Sequence, residues 1–118
     1  MKTIQYNITG SNNNIHFSII CFTEKEKDAI VENIKANGNQ VVSVNEVEPD
    51  ELISYYSDAY NSMYTDGLIK LGSIPNFTGS PTVYYCAPEN EKKARVTFEK
   101  MSNSKKKHLD SHYSQPWV

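Results

Sequence analysis

The opening of the chain constrains the fold most, because two strands' worth of apolar alternation run directly into a capped helix. Ile4, Tyr6 and Ile8 fall on one side of residues 3–9, and Thr3, Gln5, Asn7 and Thr9 on the other. That period of two marks a half-buried strand near a sheet edge. Gly10-Ser11-Asn12-Asn13-Asn14 is turn chemistry. Residues 15–22 then place Ile15, Phe17, Ile19 and Cys21 on one apolar face, with His16, Ser18, Ile20 and Phe22 opposite. A more central strand, hairpinned with the first, is expected there. Thr23-Glu24-Lys25-Glu26 has the form of a capping box, in which the Thr23 hydroxyl accepts from the third helical amide. The helix should run to about Asn37 and stop at Gly38 in a left-handed cap.

Downstream, Val41, Val42, Val44 and Val47 carry a third strand over residues 40–47. Pro49-Asp50-Glu51 suits a helix start. Leu52, Tyr56, Ala59, Tyr60 and Met63 follow at helical spacing, so a second helix is expected as far as Gly67. Residues 72–81 read as an ordered loop anchored by Ile74 and Phe77. Thr82 to Ala87 reads as a fourth strand, Pro88 to Lys93 as a polar turn, and the alternation of Ala94, Val96 and Phe98 as a fifth strand. The expected fold is α+β, a mostly antiparallel sheet of about five strands in the order ββαβα-loop-ββ with two helices on one face. Residues 1–101 form the domain, and residues 102–118 a polar C-terminal tail or arm with room for a short helix around 104–111.

A chain of 118 residues suits one domain with one modest core. A formal charge of −2, with a single arginine (Arg95) among 12 basic residues, provides no global field for nucleic acid and little bidentate recognition. The run Lys105-Lys106-Lys107, with Lys100 and His108 nearby, reads as a solvated face. A nucleic-acid-binding accessory protein is the weaker alternative it leaves open. Cys21 and Cys86 are far apart and outside any CxxC pattern, so core thiols and no zinc are expected. The acids Glu46, Glu48, Asp50 and Glu51 lack calcium-loop spacing and suit a helix start, so no metal site is assigned. Glycine-rich phosphate loops, GxSxG and HExxH are missing, and no cofactor is expected. Without an apolar leader or a membrane-length run, the expected location is cytoplasmic. Abundant Asn, Lys and Tyr are the mark of AT-rich coding sequence, as in low-GC bacteria and their phages.

Two sets of residues carry functional expectations. His16 and Ser18, two apart on a strand, share a face, where an imidazole and a hydroxyl can bind and protonate a phosphate oxygen. A second triplet, His112-Tyr113-Ser114, lies near the C-terminus. The first triplet, running into a capped helix, resembles one half of a two-histidine phosphoesterase, a family with His-x-Ser/Thr motifs on opposed strands. The resemblance implies His16, Ser18, His112 and Ser114 as catalytic residues acting on a nucleotide. Cys21 would face away from His16 and is not its nucleophile. The second set is aromatic: Tyr55 turned out of the second helix, Tyr64 at the margin of its buried stripe, and Tyr113 and Trp117 on the arm, suit contact surfaces. On balance the expectation is a small non-enzymatic binding or inhibitor protein, of phage or mobile-element type. It would block or sequester a host component, either a protein or a small nucleotide signal, and edge strands would allow a homo-oligomer.

Overall fold

The computed structural model describes residues 2–56, 62–76 and 80–114, with the side chains of residues 56, 62, 63 and 106–114 left outside the description. The chain is α+β, with predominantly antiparallel strands and two helices among the described residues. The elements are β1 (Gln5–Asn12), β2 (Ile15–Cys21), α1 (Glu24–Ala36), β3 (Gln40–Val47), β4 (Ile53–Tyr56), β5 (Ser62–Met63), β6 (Ile69–Ile74), β7 (Thr82–Cys86) and α2 (Glu91–Ser114). The strands form two sheets, ordered β3-β1-β2-β5 and β4-β7-β6. No helix among the described residues is long and apolar enough to cross a membrane.

The first sheet follows the alternation in the sequence. β1 and β2 pair antiparallel, with Tyr6 opposite Cys21, Ile8 opposite Ile19 and Gly10 opposite Phe17. Asn13 and Asn14, both at positive φ, close the hairpin, a conformation that Asn tolerates in two-residue turns of the strand-matching hand. Tyr6, Ile8 and Cys21 bury against Ile30 and Ile34 of α1, with Phe17, Ile19, Val31 and Val41 packed around them. Each buried aliphatic side chain contributes roughly 1.5–3 kcal/mol relative to exposure. α1 starts where the Thr23 hydroxyl accepts from the Glu26 N–H at 3.2 Å. It ends where Gly38, at φ +79°, lets its own N–H reach Lys35 and that of Asn39 reach Ile34, the paired carbonyl bonds of a Schellman motif.

Several expectations are corrected. β1 lies between β3 and β2 rather than near an edge, because β3 folds back onto it with Ile8 opposite Val44. Residues 53–56 of the expected second helix form β4, paired with β7 from Ile53 opposite Tyr85 to Tyr56 opposite Thr82. Ile and Tyr favour a pleated surface, and this pairing overrides an accidental helical spacing. Residues 57–61 of that expected helix lie outside the described residues. The fifth strand is instead helical. Glu91 to Ser114 form α2, opened by a 3-10 turn at Pro88–Asn90 and braced by an Arg95–Glu91 ion pair at 2.8 Å. Val96, expected inward, is 52% exposed. Helix α2 continues without a break across the 101/102 boundary. The helices divide between the sheets: α1 packs on β1 and β3, and α2 on β6 and β7. Thr3 ties the two parts together, donating its N–H and hydroxyl to the Glu89 carboxylate at 2.6 and 3.0 Å. The Thr3 N–H holds the Glu89 carboxyl below its ordinary pKa.

Candidate functional site

Helix α2 sets the geometry of the site. Ala94, fully buried, and Phe98, one turn on, seat it on the second sheet. The Phe98 ring lies across Gly72, whose φ of +149° and missing side chain leave room for it. The same ring meets Tyr84 at 5.7 Å with a 56° tilt, a geometry worth about 0.5–1.5 kcal/mol beyond area burial. Beyond Phe98 the contact opens into a groove of about 560 Å³, within the range of small-molecule sites.

Its floor is the paired end of β6 and β7, where Ile74 lies opposite Thr82. Both are nearly inaccessible, at 6% and 5% exposure. The Asn76 amide donates to the Thr82 hydroxyl at 3.2 Å and to the Ser80 carbonyl at 2.8 Å. These two bonds fix the ends of the segment joining β6 to β7. Tyr84, two residues along β7 and so on the same face as Thr82, makes one wall. Met101, Lys100, Ser104 and Lys105 of α2 make the other. They form two pairs spaced i, i+4, so they line one side of the helix. Met101 leaves 38% of its surface uncovered.

The charge of the groove sets it apart. Among the described residues its lining holds two lysines and no carboxylate. The three other cavities described here each carry acid: Glu46 and Glu48 in one, Glu26 in the second, Glu24 and Glu89 in the third. On a chain of net charge −2, this groove suits an organic anion. Among the described residues no group of three or more His, Cys, Asp or Glu could hold a metal ion.

The residues singled out from sequence are dispersed. His16 and Ser18 share the open face of the first sheet, opposite Ser11 and Thr9, and both are exposed. His112 and Ser114 occupy a helix, which packs on the second sheet; two-residue spacing places side chains on a common face in strands, not helices. Tyr55 lies on β4 opposite Val83 and is half-buried, on the sheet face away from Tyr84. Tyr64 follows β5, its N–H bonded to the Ile20 carbonyl at 3.0 Å, and its ring lines a cavity beside α1. The Tyr113 side chain and all of Trp117 lie outside the described residues. Both cysteines are fully buried. Burial pushes the Cys21 thiol up to about 11, with Glu26 adding to it, and raises Cys86 as well. Neither is a ready thiolate at neutral pH.

The groove residues Asn76, Thr82, Tyr84, Lys100 and Met101 escape a sequence reading that takes residues 94–99 as a strand. The available signal was the i, i+4 series Ala94, Phe98, with Lys105 seven residues further on the same helix side, preceded by Pro88 and acids at a helix start. No family model matches the chain, and neither a curated protein nor a solved structure matches it.

Proposed function

We propose that this chain is a small non-enzymatic binding protein that holds a small molecule in the groove between α2 and the second sheet, and acts by sequestering it. The observation that carries the reading is the groove itself. It combines a buried polar floor, an uncovered apolar wall at Met101 and a rim that, among the described residues, bears lysine without acid. Capture requires only such a lining, whereas turnover requires an activated nucleophile or a placed acid–base pair. Both thiols are buried and shifted away from ionisation. The Asn- and Lys-rich composition suits a phage or mobile-element protein directed at a host signal. The exposed edge of β3, carrying Val42, Val44 and Val47, offers a surface for pairing with a second copy.

The test is native mass spectrometry of the full chain purified gently from its expression host, beside a Ser104→Trp variant that fills the groove from its exposed rim. The wild type is expected to release a small mass on denaturation, and the variant to lack it while keeping its circular dichroism spectrum. A retained molecule indifferent to Ser104→Trp would contradict the reading. So would nucleotide hydrolysis abolished by His16→Ala.

A further inference from the structure

We infer that the ligand of the groove is a phosphorylated ring compound of nucleoside-monophosphate size, its phosphate at the Lys100–Ser104 rim and its ring between Tyr84 and Met101. This rests on the binding reading above and adds the chemical class. Lys100 and Ser104 are one turn apart and both exposed, so an ammonium and a hydroxyl face the same mouth. Lys100 has no carboxylate partner among the described residues, whose ion pairs are Lys27–Asp28 and Arg95–Glu91. A lysine ammonium serves phosphate as a point charge, and a neighbouring hydroxyl adds a donor to a second oxygen.

Below that rim the lining changes character. Tyr84 and Met101 offer an aromatic face and a polarisable thioether, and Met101 remains over a third exposed. Such a pair accepts a flat ring through stacking and sulfur–aromatic contact. Deeper still, Asn76 and Thr82 present an amide and a hydroxyl, which can read the polar edge of a heterocycle. Cation and hydroxyl outside, aromatic and thioether within, and an amide at the floor match phosphate, ring face and ring edge in turn. The Asn76 N–H groups are already committed to Thr82 and Ser80, so the Asn76 carbonyl oxygen and the Thr82 hydroxyl proton are the groups left for that edge.

Isothermal titration of the full chain with adenosine 5′-monophosphate, adenosine, inorganic phosphate and octanoate tests this. Binding of the monophosphate is expected, with adenosine and phosphate each weaker by roughly tenfold or more. Lys100→Glu should weaken the monophosphate by roughly tenfold or more and leave adenosine unchanged, while Lys100→Arg retains most of the affinity. Lys100 is exposed, so both variants should fold. Adenosine binding as tightly as the monophosphate, or a monophosphate indifferent to Lys100→Glu, overturns the inference. If octanoate binds and the monophosphate does not, and Ser104→Trp abolishes octanoate binding, the groove reading stands and the ligand class falls. If none of the four probes binds, both fall.

Discussion

Replacing Gly10 by alanine tests the packing of the first sheet at one atom. Gly10 is buried on β1 directly opposite Phe17. A Cβ built there would lie 2.4 and 2.6 Å from two carbons of the Phe17 ring. Ordinary carbon contact is about 3.5–4.0 Å, so the ring must move by about 1 Å. Gly10 does not have positive φ, so the backbone is unstrained and the cost is steric. Overpacking of this kind costs about 1–3 kcal/mol, and alanine in a strand returns about 0.5–1 kcal/mol of chain entropy. Phe17 is only half-buried and sits near the hairpin end, which allows partial relief. A net loss of about 1–2 kcal/mol is expected, or about 4–8 °C in Tm for a chain this size. Phe17→Leu removes the obstructing ring. The double variant Gly10→Ala/Phe17→Leu should therefore be more stable than the sum of the singles by about 1 kcal/mol, read from urea titrations of all four proteins. Strict additivity, or a Gly10→Ala protein as stable as the wild type, would show that the Phe17 ring does not obstruct a side chain at position 10.

Two further outcomes follow from the same part of the fold. Thr23→Ala removes the α1 cap and should cost about 1 kcal/mol, with most of the loss restored by Thr23→Asp; chemical denaturation decides it, and an unchanged midpoint for alanine would count against the cap. The buried Cys21 thiol is held to about 11, above its ordinary 9.0, so the folded chain keeps a proton that the unfolded chain releases. Its contribution is complete below about pH 9 and is lost as pH rises toward 11. Thermal melts should fall more steeply over that interval in the wild type than in Cys21→Ala, and at pH 7 a thiol reagent should label native protein slowly. Equal slopes or fast labelling would contradict the burial.

The first part of the chain was legible because its signals are local and agree with one another. The alternation of Tyr6 and Ile8, the inward Phe17, Ile19 and Cys21, the Thr23 cap and the Gly38 stop each specify one element. The second part misled because its signals are ambiguous at short range. Leu52, Tyr56, Ala59 and Tyr60 fit a helical stripe, while Ile53 to Tyr56 also fit a strand; only the distant partner β7 decides between them. Ala94, Val96 and Phe98 alternate like a strand, yet Glu91, Lys92, Lys93, Arg95, Glu99 and Lys100 are helix formers. The Glu91–Arg95 pair at i, i+4 was a helical sign in the same stretch. Because α2 was not anticipated, neither was the groove it forms. Its described lining comes from residues 74, 76, 82 and 84 on one side and 100, 101, 104 and 105 on the other, a juxtaposition that pairing and packing create and that no short motif announces. The shared face of His16 and Ser18, by contrast, followed from strand spacing alone.

On the proposed function the groove, and not the His16 face, receives the ligand. Amide shift mapping of the full isotopically labelled chain during titration with adenosine 5′-monophosphate locates the site residue by residue. Asn76, Thr82, Tyr84 and residues 100–105 are expected to shift together along one saturation curve, while His16 and Ser18 stay in place. Shifts centred on His16, Ser18, Thr9 and Ser11, with the groove amides unmoved, would contradict it and return the phosphoesterase reading to the front.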